Sequence, residues 1–171
     1  MVVKDCQRGS IMLEIMLLLM VLIILASQAL PAAFKFYRQA AVEYEAEKLL
    51  ADIRYCQNMS RLTADSAWNY GAKDAGDHAV YLSLRSGYNY LFAGRGDVIA
   101  RHDYLPGINS SKERDDGSLG SSEYKLIFEA DGKPKELVTV LIYYAGYPQE
   151  GREIMVSKGG RIRMERGRVG K

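Results

Sequence analysis

Cysteine and histidine are scarce in this 171-residue chain, with two of each. Cys6 and Cys56 stand 50 positions apart. If the first few residues are removed, Cys56 has no partner in its own chain, so neither a disulfide framework nor a metal site can be built from cysteine. His78 and His102 have no cysteine near them and lack the paired spacing of metal ligands, so both are expected on the surface or in loops. No Ser-His-Asp signature, glycine-rich phosphate loop or tandem carboxylates in a plausible pocket occurs. The chain is therefore expected not to be an enzyme and to hold neither cofactor nor metal. Internal repeats and low-complexity tracts are also missing.

Charge is small in total and uneven in place. The formal net charge is +2, but Lys158 to Lys171 holds six cations and only Glu165 as an anion, which leaves a net −3 on the first 157 residues. Apolar residues are just as uneven, concentrated in the first third. A membrane segment followed by one small domain is the division these patterns imply.

Every residue from Ile15 to Ala26 is apolar, and the run reaches back to Ile11 and forward to Leu30 with only Ser27 and Gln28 as mild interruptions. A helix of about 20 such residues spans a bilayer core. Lys4 and Arg8 precede it, so the positive-inside rule leaves the leader in the cytoplasm and carries the rest across. A secretory signal cleaved within "ASQALPAA" (26–33) is the competing reading. Against it, the apolar run is long for a signal core, and helical character continues beyond Ala33. One carboxylate, Glu14, sits inside the apolar run, where a charge is costly unless something pairs with it.

The stretch "GSIMLE" (9–14) resembles the processing site of type IV prepilins and pseudopilins: a short basic leader ending in glycine, then a mature chain whose fifth residue is glutamate. The resemblance implies cleavage between Gly9 and Ser10, N-methylation of Ser10 by the same prepilin peptidase, and a pairing of Glu14 with the N-terminal amine of a neighbouring subunit. That amine would neutralise the carboxylate in low dielectric. Pro31 stands where the family often carries a helix-kinking proline. Ser10 departs from the phenylalanine usual there.

Past Pro31 the pattern becomes amphipathic. Val42, Ala46, Leu49, Ile53, Cys56, Ser60 and Thr63 alternate steps of four and three, flanked by Leu50 and Met59. Glu43, Glu45, Glu47, Lys48, Asp52 and Arg54 are expected on other faces. One helix of about 50 residues, about 75 Å long, is predicted, with Cys56 on its packed stripe as a small buried hydrophobe rather than a reactive thiol. "RYCQNMSR" (54–61) resembles the helix of the FimT and pseudopilin H branch.

After Thr63 strand alternation replaces helical periodicity. "AVYLSLR" (79–85) and "YNYLFAG" (88–94) read as a hairpin across Ser86-Gly87. "SEYKLIFEADG" (122–132) alternates Tyr124, Leu126 and Phe128, and "ELVTVLIYYAG" (136–146) reads as a long strand. "EIMVS" and "RIRME" face each other across "KGG" (158–160). Residues 101–121 are expected as an exposed loop. The predicted fold is α+β and pilin-like, with a long N-terminal helix packed on an antiparallel β-sheet. Its parts are a leader (1–9), a membrane segment (10–33), an amphipathic continuation (34–64) and a β-sheet domain (65–171).

In the last strand, "GRIRME" (160–165), Arg161 and Arg163 alternate with Ile162 and Met164. Two guanidiniums about 7 Å apart on a strand match successive phosphates. Lys158, Arg166, Arg168 and Lys171 extend the basic patch, a feature that attracts nucleic acid irrespective of sequence. "GRIR" is similar to a GRxR motif associated with DNA uptake in FimT-like minor pilins. The other reading is a solvated outer face, with a basic tail meeting acids such as Glu43, Glu45 and Glu47 of a neighbouring subunit. The resemblance as a whole implies a minor subunit of a type IV pilus, competence or type II secretion filament. Its partners would be other pilins or pseudopilins, the prepilin peptidase/methyltransferase, an inner-membrane assembly platform, the bilayer around residues 11–30, and DNA if the GRxR motif acts. Its place would be the cytoplasmic membrane as a single-pass protein, then the filament. A Sec-exported or single-span membrane-anchored binding domain is the alternative.

Overall fold

Residues 3–62, 80–93, 97–113 and 118–166 are described by the computed structural model of the chain. They form one helix, α1 (Val3–Leu62), followed by eight strands. The chain divides into two units, Met1–Arg38 and Gln39–Lys171.

The first unit is helical throughout its described length. Leu, Ile, Met and Ala dominate it, and the straight-chain and small members of that set are strong helix formers. Its apolar window has a mean hydropathy of 2.5 and none of it is buried within the chain. Pro31 lies inside α1 without ending it, although it withholds one backbone donor. In the turn before it, the Ser27 hydroxyl donates to the Ile24 carbonyl at 2.7 Å.

In the second unit the predicted stripe is the packed one. Val42, Ala46, Leu49, Ile53 and Cys56 are almost wholly buried and Ser60 is buried beside them, with Leu50 and Met59 partly buried at the edges. Thr63 lies outside the described residues. The strands form two antiparallel sheets. The first has the order β3 (Asp97–Asp103), β2 (Tyr88–Ala93), β1 (Val80–Arg85), β5 (Tyr124–Ile127); the second has β4 (Ile108–Lys112), β6 (Val138–Tyr144), β7 (Tyr147–Val156), β8 (Ile162–Arg166). Val80, Leu82, Leu84, Leu91 and Leu126 from one sheet, and Val138, Val140, Ile142, Ile154 and Val156 from the other, join the helix stripe in one core. The α+β prediction holds, and its antiparallel strands are shared between two sheets.

The expected hairpins form. β1 and β2 pair from Val80↔Ala93 to Arg85↔Tyr88 across Ser86-Gly87, and β7 and β8 pair from Arg152↔Arg166 to Val156↔Ile162. The 101–121 segment departs from its expectation. It holds the end of β3 and all of β4, and His102, Tyr104, Ile108, Ser110 and Ser111 are buried in it. Serine-rich β4 satisfies its polar groups internally: Ser110 donates through its backbone to the Ser86 carbonyl at 2.8 Å and through its hydroxyl to the Arg85 carbonyl at 2.8 Å.

Two charge expectations are also corrected. Glu45 is buried at 1% exposure rather than solvated on another face, and His102 is buried rather than lying on the surface. His78 lies outside the described residues. The His102 ring sits between two helix carboxylates, with Nδ1 3.3 Å from Asp52 Oδ2 and Nε2 3.0 Å from Glu45 Oε2. The second contact is close but poorly aligned for a hydrogen bond, so neither atom has a directional partner there. Glu45 Oε1 accepts from the Leu105 backbone at 3.0 Å, and Asn89 donates to Asp52 Oδ2 at 3.0 Å. These contacts tie α1 to β2, β3 and the turn after β3. The Tyr104 hydroxyl is pushed up to about 12, chiefly by burial.

Removing the imidazole strands a buried carboxylate. His102→Ala is expected to lower stability by about 2 kcal/mol in urea unfolding followed by circular dichroism. The Glu45→Ala, His102→Ala double variant is expected to cost less than the two single changes added together, and simple additivity would remove the coupling.

Candidate functional site

Two regions carry the chemistry expected from the sequence. The first is the start of α1. Gly9 and Ser10 fall within its helical backbone. Glu14 is exposed among exposed apolar neighbours, from Ile11 (55%) and Leu13 (63%) to Leu17 (55%). A carboxylate flanked by unburied Leu, Ile and Met is unmatched by anything in its own chain among the described residues. In an apolar medium such a charge is costly unless something pairs with it.

The second region is the β7–β8 hairpin. Ser157 and Arg161 close it, with the Ser157 N–H donating to the Arg161 carbonyl at 3.0 Å and the Arg161 N–H donating to Ser157 Oγ at 3.1 Å. Arg161 immediately precedes β8 and Arg163 lies within it; both are exposed, while Ile162 and Met164 pack against the core. Lys158 is exposed in the turn. Among the described residues Lys158, Arg161 and Arg163 make no ion pair. Arg166 does not extend that surface. It pairs in register with Arg152 and shares the face of Ile162 and Met164, where it borders a polar cleft beside the Arg152–Glu43 ion pair. Arg168 and Lys171 lie outside the described residues.

The end of α1 holds this hairpin in place. The Gln57 side-chain amide donates to the carbonyl of Gly132 and to that of Gly160, both at 2.7 Å. Gly160 has a φ of 77°, and a Cβ there would stand 2.5 Å from the Gly132 carbonyl oxygen and 2.9 Å from Gln57 Nε2. The glycine of "GRIR" is thus demanded by packing. Gly132 sits in a tight turn in which the Glu129 N–H donates to the Lys133 carbonyl and the Gly132 N–H donates to the Glu129 carbonyl, both at 2.8 Å. There the Lys133 ammonium holds the Asp131 carboxyl below its ordinary range. The Arg61 guanidinium packs over Gly132, where a Cβ would clash with it. Sequence reasoning missed both Gln57 and Arg61. The Gln57–Gly160 contact spans 103 positions, and the only local sign was a glutamine beside the apolar stripe. Cys56, one residue earlier, is buried and its thiol is pushed up to about 12 by burial, which suits an inert packing role.

No protein-family model matches the chain, and no curated protein sequence matches it. At the level of structure it is similar to the crystal structure of the type IV minor pilin FimU of Pseudomonas aeruginosa strain PAO1. The TM-score is 0.52, with 76% of this chain and 92% of FimU covered at 17% identity. A second crystal form of FimU gives a TM-score of 0.49, with coverages of 72% and 91% at 17% identity. The chain therefore has the type IV pilin fold: a long apolar N-terminal helix whose later part packs on antiparallel β-sheet.

Gly160→Ala forces a left-handed backbone on alanine and drives a methyl into the Gly132 carbonyl. It is expected to destabilise the chain by about 2 kcal/mol or more. Gln57→Leu, which leaves two carbonyls without their shared donor, is expected to cost about 1 to 3 kcal/mol. Thermal unfolding followed by circular dichroism measures both.

Proposed function

We propose that this protein is a membrane-anchored, non-catalytic subunit of a type IV pilus-like filament. A prepilin peptidase cleaves it between Gly9 and Ser10 and methylates Ser10. Its apolar helix holds it in the cytoplasmic membrane until an assembly platform transfers it to the filament, where Glu14 meets the amine of a neighbouring subunit. The observation that carries this reading is a lone carboxylate in an exposed apolar helix, on a chain with the pilin fold. In such a helix the energy of neutralising Glu14 favours association with a second chain. The likeness to FimU, described as a type IV minor pilin, supports a minor rather than a bulk subunit. The same reading covers a pilus, a competence filament or a secretion filament.

A second activity is favoured by one observation, the exposed Arg161 and Arg163, without an ion pair among the described residues, on a hairpin held at Gly160 by Gln57. Fixed cations in that setting suit the backbone of duplex DNA, a polyanion bound without sequence preference.

Mass spectrometry of the protein from membranes is expected to give a chain starting at methylated Ser10. A chain starting at Leu30 or Phe34 would indicate a cleaved export signal and overturn the proposal. Glu14→Ala is expected to leave the protein in the membrane while sharply lowering its recovery in sheared filaments. For duplex DNA, Arg161→Ala with Arg163→Ala is expected to reduce the slope of log K against log salt by about 1.8, the share of two phosphate contacts. An unchanged slope removes both arginines from DNA binding.

A further inference from the structure

The outward face of the first sheet carries a set of side chains that the core does not require. Leu82, Leu84 and Leu91 point into the core. The alternate positions on the two central strands place Tyr81 opposite Phe92, Ser83 opposite Tyr90 and Arg85 opposite Tyr88. Four half-buried rings form a continuous ladder. Tyr81 stacks on Phe92 with centroids 4.7 Å apart and 13° between planes; Phe92 meets Tyr90 at 5.7 Å, and Tyr90 meets Tyr88 at 5.1 Å. Cations stand on both flanks. From β3 the Arg101 guanidinium lies over Tyr88 at 5.1 Å and Tyr90 at 5.4 Å, and from β5 the Lys125 ammonium lies over Tyr81 at 5.4 Å.

We propose that this face binds single-stranded nucleic acid, with bases stacking on the ring ladder and phosphates meeting Lys125 on one flank, while Arg101 on the other is shared with Asp103. Each part of the face has a counterpart in that ligand. Bases offer π-faces to aromatic side chains whatever their identity, and a backbone running beside them needs cations at the rim. A duplex hides its base faces and would engage only the rim. A neutral chain would leave Lys125 without a counter-charge. The acids on this face, Asp103 and Glu123, are held by Arg101 and Arg85 at the Tyr88 end. The phosphate path therefore favours the Tyr90, Phe92 and Tyr81 rings. The inference goes beyond filament assembly and does not depend on it, and it concerns a different surface from the hairpin arginines.

The test is fluorescence anisotropy of a labelled oligothymidylate with the full-length protein in detergent micelles. Saturable binding is expected, weakened about tenfold by Tyr90→Ala and by Phe92→Ala, neither of which changes charge. Tyr90→Phe should retain it. Lys125→Glu, an exposed change that the core does not feel, should weaken it severalfold and gives a reading even if Phe92→Ala fails to fold. No binding, binding untouched by Tyr90→Ala and Lys125→Glu, or, in the Arg161→Ala, Arg163→Ala background that silences the hairpin, a duplex of the same length binding more tightly would each overturn the proposal.

Discussion

One stripe of α1 has to close two sheets at once, and the rest of the second unit follows from that. Val42, Ala46, Leu49, Ile53 and Cys56 leave almost no surface to solvent. At about 1.5 to 3 kcal/mol for each large apolar side chain buried, this seam contributes more than any polar contact nearby. The seam also explains where the polar groups are found. Glu45 and Asp52, seven residues apart on α1, flank it and are drawn in far enough to hold His102. Gln57 finishes it and reaches two carbonyls from two loops. Burying unmatched polar groups would undo part of the apolar gain, so each of these side chains is met by groups from the strands or the turns between them.

The sequence disclosed what periodicity can disclose. The helix stripe, the β1–β2 hairpin, the β6 strand and the closing hairpin all showed regular apolar spacing, and all are present. β3 and β4 did not show it. β3 has a single buried residue, His102, in seven, and β4 fills its inward positions partly with serine. A strand with one buried residue, and a strand whose buried positions are mostly serine, leave no alternating apolar signal, so Ser, Gly and Asp read as loop. Glu45 failed for a related reason. Its type predicts solvent exposure, and only a histidine 57 positions further along the chain and a backbone N–H 60 positions along make burial tolerable.

The site was legible in its chemistry and not in its support. Glu14 stands out in any reading because a charge in an apolar run is conspicuous, and Arg161 and Arg163 stand out through their alternation with Ile162 and Met164. Arg166 was placed wrongly because cations look alike in sequence, while its register against Arg152 turns it to the other face. The aromatic ladder on the first sheet was invisible for a complementary reason. Its rings belong to strands whose inward residues alone explained the pattern, so their outward partners looked like filler.

The glycine of the closing hairpin bears on how short motifs are interpreted. Gly160 is fixed by a neighbouring carbonyl and by Gln57, both of them parts of the fold itself. In a four-letter signature of this kind the first letter reports architecture. Two chains could share the glycine and have nothing in common in what they bind.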